Sequence, residues 1–162
     1  MTDPGGPAFA GPPGIRVVNL RARVAEQSEP LVGIVVVSHS AMIAEGLVEL
    51  AGQMAGSEVR LLAADGAADG SLGTDAGRIA EAIAEADAGA GVVVLADLGS
   101  AVLASKLALE MLGPEAAGRT RLSGGPLVEG AVVAAVQASA GDGLAAVLEA
   151  AEEAAHMSKD VA

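Results

Sequence analysis

LVGIVVVSHS, residues 31–40, is a seven-residue apolar run stopped by a histidine held between two serines. A run rich in Val and Ile with polar ends fits a strand buried on both faces, the kind found in a parallel sheet covered by helices. His39 then falls at the strand's C-terminal tip. In open α/β sheets ligands bind at that end, where strand order reverses, because loops and helix N-termini converge there.

Downstream, Ile43, Leu47, Leu50 and Met54 recur at helical spacing and predict a helix over 41–55. Residues 58–62 read as a short second strand. Residues 63–73, with Asp65-Gly66 and Asp69-Gly70, read as a long loop, after which Thr74 or Asp75 caps a helix carrying Ile79 and Ile83. Residues 92–96 form a third apolar strand. Leu98-Gly99-Ser100 turns the chain into a helix with Leu103, Leu107 and Met111 on one face, ending at Gly113-Pro114. Residues 119–122 read as a weak fourth strand, Ser123-Gly124-Gly125-Pro126 as a turn, and 127–140 and 142–155 as closing helices separated by Gly141. Strict alternation of strand and helix predicts an α/β fold: a doubly wound, mainly parallel sheet of four to five strands with helices on both faces.

The 162 residues allow one domain with a sizeable core, once 1–30 are set aside. Residues 1–14, rich in Gly and Pro, bury too little apolar surface to offset their ordering entropy, and the cluster Ile15-Arg16-Val17-Val18-Asn19-Leu20 is at most a loose strand. The expected organisation is a disordered or loosely structured extension over 1–30, a domain over 31–156 and a flexible tail over 157–162. Phe9 is the only aromatic residue, so the core rests on Val, Leu, Ile, Ala and Met.

With no Cys, disulfides, thiolate catalysis and thiolate metal sites are excluded together. His39 and His156 are the only imidazoles, too far apart in sequence to suggest a histidine metal cluster, and His156 reads as a solvated tail residue. No metal site is expected. The formal charge of −12 lies wholly beyond residue 30, because Arg16, Arg21 and Arg23 cancel Asp3, Glu26 and Glu29. Such a surface argues against nucleic-acid binding; it either steers a basic partner or keeps an Ala-rich chain soluble. No apolar run approaches the roughly 18 residues of a membrane span. The N-terminus carries no signal-peptide core, and a cytoplasmic location is expected.

If the strands over 31–37 and 92–96 are neighbours, His39 and Asp97 emerge together. A carboxylate accepting one imidazole N–H fixes the tautomer and leaves the other nitrogen free as nucleophile or base. Alone, Asp97 would read as an Asx turn or helix cap; its place after a second buried strand makes it a partner for His39. Helices starting after Ser40 and Gly99 would aim their positive ends at the crevice, which suits a phosphoryl group. Thr74 reads equally as a cap or as a hydroxyl at the same end. The G-x-x-x-x-G-K-[ST] nucleotide loop is missing, and neither Ser38 nor Ser40 stands in a G-x-S-x-G elbow.

Val-Ser-His-Ser at 37–40, the Asp69-Gly70 to Gly73-Thr74 loop, Asp97-Leu98-Gly99-Ser100-Ala101 and Pro126-Leu127-Val128-Glu129-Gly130-Ala131 together resemble a known family. These are the phosphotransferase subunits of phosphoenolpyruvate-dependent dihydroxyacetone kinases, related to the mannose-type IIA domains of the bacterial sugar phosphotransferase system. The resemblance covers about residues 31–155. It implies a dimerising doubly wound domain in which His39 accepts a phosphoryl group from phospho-HPr, itself charged by enzyme I. The group then passes to ADP, held with Mg on the kinase's nucleotide-binding subunit, and this chain carries no cofactor of its own. Asp97 matches the position that orients the histidine, and Ser38, Ser40, Thr74, Gly99 and Ser100 fall on the phosphate-binding side. Some relatives carry fused HPr-like and enzyme I-like domains, so this chain is expected to borrow both in trans. The Ser123-Gly124-Gly125 run departs from the family pattern.

Other readings use the same crevice. A regulatory module would be phosphorylated on His39 only as a signal, a sugar-transport IIA domain would pass the group elsewhere, and a flavodoxin-like ligand binder would leave His39 unmodified.

Overall fold

The computed structural model describes residues 29–67 and 69–160, and in it the apolar run becomes strand β1 (Gly33–Ser38), buried along its whole length. Parallel neighbours on both edges make that burial possible. On one side lies β2 (Leu61–Asp65), with Ile34 opposite Leu61 and Ser38 opposite Asp65. On the other lies β3 (Val92–Ala96), with Gly33 opposite Val92 and Val37 opposite Ala96, and β4 (Thr120–Leu122) pairs beyond it. The order β2-β1-β3-β4 reverses direction at β1, so the crevice between β1 and β3 is the switch point of the sheet.

The described residues form six helices: α1 (Ala41–Ala55), α2 (Ala76–Ala86), α3 (Gly99–Met111), α5 (Leu127–Ser139) and α6 (Leu144–Glu153), which cover the sheet, and the one-turn α4 (Pro114–Gly118), with a 3-10 turn, Ala154–His156, after α6. Alternating strand residues divide the core between the two faces. Ile34, Val36, Val93 and Leu95 meet α1, α5 and α6, while Val35, Val37, Val92 and Val94 meet α2 and α3. The expected doubly wound α/β fold is present, with four strands, all parallel.

Alanine and glycine set the spacing between layers. A Cβ on Gly33 would stand 2.4 Å from the Ala86 carbonyl oxygen, and one on Gly130 would stand 2.8 Å from Leu95 Cδ2. The Gly124-Gly125 pair has the same explanation, since a Cβ on Gly125 would fall 2.1 Å from the Ala151 carbonyl oxygen.

Three expectations need correction. The second strand begins at Leu61 rather than 58, and takes in 63–65, read above as loop. Ala63 and Ala64 are weak strand formers, and they are extended because β1 offers its whole edge for pairing. Second, the large apolar residues of α1 and α3 do not face the core. Leu47 is buried, but Met42 is 85% exposed and Leu103 67%, with Ile43, Leu50, Met54, Leu107 and Met111 also outside. The buried stripes are Ala44, Leu47 and Ala51 on α1 and Ala101, Ser105 and Ala108 on α3, because small side chains let a helix lie closer to the sheet. Third, Pro114 does not merely end α3; it opens the one-turn α4 from its first turn, where its missing N–H costs nothing. The expected extension over 1–30 lies outside the described residues except for Glu29 and Pro30, as do 161–162 of the tail.

Candidate active site

Pairing of Val37 with Ala96 brings the next residue of each strand, Ser38 and Asp97, to the same tip, where Asp97 N donates to the Val37 carbonyl at 3.1 Å. His39 follows Ser38 and turns its ring back over Asp97. Nδ1 lies 2.8 Å from Asp97 Oδ1, with the two side chains 26% and 14% exposed. A carboxylate accepts only, so the Nδ1 contact places the ring proton there and leaves the Nε2 lone pair facing out. The Ser100 hydroxyl sits against that nitrogen.

The Asp97 carboxylate is fully engaged. Oδ1 also accepts from Leu98 N at 2.7 Å, and Oδ2 accepts from His39 N and Ser38 Oγ, each at 2.9 Å. Partial burial pushes this carboxyl up, but the bonds from His39 N, the Ser38 hydroxyl, the His39 ring and Leu98 N together outweigh it and hold its pKa below the ordinary 3.8. It therefore stays ionised to lower pH than an ordinary aspartate.

Two helix N-termini flank the histidine without side-chain caps, α1 entered through Ser40 and α3 through Leu98. Their first N–H groups are donors without intrahelical partners, aligned with the helix dipole, as an anion site requires. In contrast, the N-terminus of α2 is occupied by Asp75, whose Oδ1 accepts from Arg78 N at 3.0 Å. Thr74 is thus not that cap; its neighbour Gly73 is tied to the site, donating its N–H to the His39 carbonyl at 3.1 Å. Gly99 and Ser100 form the first turn of α3, and Ser40 stands at the head of α1.

Ser38 differs from expectation. Its residue is wholly buried, and its hydroxyl bonds Asp97 rather than facing the crevice, because position 38 still belongs to the strand. The sequence pattern marks Asp65 only as a turn residue and gives Arg78 no role. Asp65 ends β2 opposite Ser38, and Arg78 Nη2 lies 3.6 Å from its Oδ1, bringing a cation to the same end of the sheet. Reading 63–73 as loop hid that carboxylate. Among the described residues no three His, Asp or Glu side chains gather as a metal-ligating set, and no helix is long and apolar enough to cross a membrane.

An imidazole whose Nδ1 proton is held by a carboxylate, and whose Nε2 lone pair faces out, thus stands between two open helix N-termini. The family model of the PTS system fructose IIA component, EIIA-man, matches residues 33–148. The phosphoryl donor subunit DhaM of PEP-dependent dihydroxyacetone kinase 2 from Listeria innocua is 40% identical over 119 residues, 74% of this chain and 95% of that protein. The subunit DhaM of the PEP-dependent dihydroxyacetone kinase from Klebsiella michiganensis is 41% identical over 122 residues, and its Escherichia coli counterpart 40% identical over 114. The chain spans only 26% and 24% of those two longer proteins. Among solved structures, the unknown-function protein EF1359 superposes with a TM-score of 0.70 at 41% identity, over 76% of this chain and 94% of that one. The sigma-54 interaction domain protein from Enterococcus faecalis, at 18% identity and a TM-score of 0.58 over 76% and 90%, shares the fold.

Proposed function

The chain belongs to the PTS fructose IIA (EIIA-man) family, and from that premise we propose that it is a phosphocarrier, the phosphoryl donor subunit of a dihydroxyacetone kinase. In this reading His39 takes a phosphoryl group from phospho-HPr and passes it to ADP held by the kinase's nucleotide-binding subunit. The observation that carries it is the His39–Asp97 pair, with Nε2 presented at the open N-termini of α1 and α3.

The chemistry follows from those groups. The Nε2 lone pair attacks phosphorus in line as the donor's N–P bond breaks, while the Nδ1 proton stays between ring and carboxylate. Asp97 stabilises the positive charge that develops on the imidazole, and backbone N–H groups at the two helix starts hold the equatorial oxygens. Ser100 turns its hydroxyl from Nε2 to a phosphoryl oxygen. Onward transfer reverses the step, with the N–P bond breaking as the ADP oxygen bonds phosphorus. The names of the Listeria, Klebsiella and Escherichia relatives support the kinase assignment. A homodimer is part of the proposal, supported by the apolar side chains on the outer faces of α1 and α3.

A coupled assay tests the reading. With phosphoenolpyruvate, enzyme I, HPr and the kinase's other subunits, triose phosphate should form only when this chain is added. Phosphorylation of His39 without triose phosphate would turn the assignment to a regulatory module.

A further inference from the structure

Ser38 carries a hydroxyl into a position with no exposure to solvent, at the end of a strand that is otherwise aliphatic. An unused hydroxyl there would be costly, and this one is used on both sides. Its oxygen accepts from Ser40 N at 3.1 Å, and it donates its single proton to Asp97 Oδ2 at 2.9 Å. The direction of the chain of bonds is therefore fixed: Ser40 N–H to Ser38 O–H to Asp97, whose other oxygen takes the proton-bearing Nδ1 of His39.

We propose that Ser38 is a positioning residue, which holds the Asp97 carboxylate in the orientation that keeps the proton on Nδ1 and the lone pair on Nε2 of His39. Its effect on rate rests on the phosphocarrier reading; its effect on the tautomer does not. Without the hydroxyl, Oδ2 keeps only the bond from His39 N, and Ser40 N–H at the head of α1 loses its acceptor. The carboxylate then keeps three of its four donors, His39 N, the His39 ring and Leu98 N, and is pulled toward the freed Ser40 N–H. A neutral imidazole held less firmly by its carboxylate populates the second tautomer more, and that form, with the proton on Nε2, has no nucleophile facing the crevice. The strand and the helix start do different work here: α1 presents N–H groups outward, while Ser38 draws the Ser40 N–H inward as part of the bonding chain.

The chain holds only two histidines, so nitrogen-15 NMR of histidine-labelled protein resolves the tautomer directly, with His156→Gln assigning the peaks. Wild type, Ser38→Ala and Ser38→Cys are compared at a pH where the ring is neutral, with thermal melts recorded for each. The expected result is protonated-type Nδ1 and bare-type Nε2 signals in wild type, and averaged signals in Ser38→Ala. Phosphoryl acceptance from phospho-HPr should fall about tenfold, as for a lost orienting bond, and Ser38→Cys, with its weaker donor, should lie between. A folded Ser38→Ala with the wild-type tautomer overturns the proposal. Loss of the cooperative melt in both variants would also overturn it, by making Ser38 a folding residue. If wild type accepts no phosphoryl group yet the tautomer shifts in Ser38→Ala, the phosphocarrier reading fails and the positioning role stands.

Discussion

At the scale of the residue, Asp97 does two separable things. It orients and electrostatically supports His39, and it ties the tip of β3 to the end of β1 and the residue after it through three accepted bonds. Asp97→Ala should therefore slow phosphoryl acceptance by roughly 10²-fold or more, the scale of a lost orienting or acid–base group, measured by rapid quench with phospho-HPr. The stability effect has a defined sign. The carboxyl's pKa is lower in the folded chain than its ordinary 3.8, so its contribution is present above about pH 4 and disappears as pH falls through the folded value. Asp87 adds to the same limb: burial pushes its carboxyl up, but bonds from Gly89 N and Arg119 hold it below 3.8. The melting temperature should thus drop as pH falls below about 4, and less steeply in Asp97→Asn. His39 and Asp97 were legible in sequence because each stands at the end of a buried apolar run. The role of Ser38 was not, since the polar residue after Val37 reads as the start of the loop, whereas it is the buried last residue of the strand with its hydroxyl on Asp97.

Among elements, strands were read more accurately than helix faces. β3 falls where its Val-rich pattern puts it, and α1 spans 41–55 as its spacing predicts. The face that α1 and α3 bury was hidden, because hydrophobic size is a poor guide when alanine lines the contact. The gap between sheet and helices is set by backbone approach, as at Gly33, where the nearest atom to an added Cβ is a carbonyl oxygen that has no rotamer to escape through. Gly33→Ala should lower the unfolding free energy by about 2–3 kcal/mol in urea titration, the upper range for overpacking a tight site. A value near zero would mean that the α2 end shifts freely. Strand β2 shows the opposite failure of pattern reading: its Ala63-Ala64 pair has little intrinsic preference for extension, and the partner strand supplies it.

For the molecule as a whole, two surfaces follow from that packing. One is the crevice at the switch point of the sheet, with His39 between α1 and α3. The other is apolar and divided between the two faces of the sheet, with Ile43, Leu50 and Met54 of α1 facing solvent on one and Leu103, Leu107 and Met111 of α3 on the other. Apolar side chains in that number predict self-association, and sedimentation equilibrium should give a dimer that Leu103→Glu with Leu107→Glu, or Leu50→Glu with Met54→Glu, dissociates. A monomer at micromolar concentration would count against it. The sequence conveyed the layering because alternation of strand and helix admits few topologies, whereas no local pattern reveals which helix flank a second copy covers. The phosphocarrier role requires phosphorylation of one nitrogen, Nε2 of His39. The measurement is the intact mass of the purified chain after incubation with phosphoenolpyruvate, enzyme I and HPr, for wild type and for His39→Ala. A single acid-labile phosphoryl adduct on wild type alone is the predicted result; an adduct retained in His39→Ala, or none on either chain with phospho-HPr present, would contradict it.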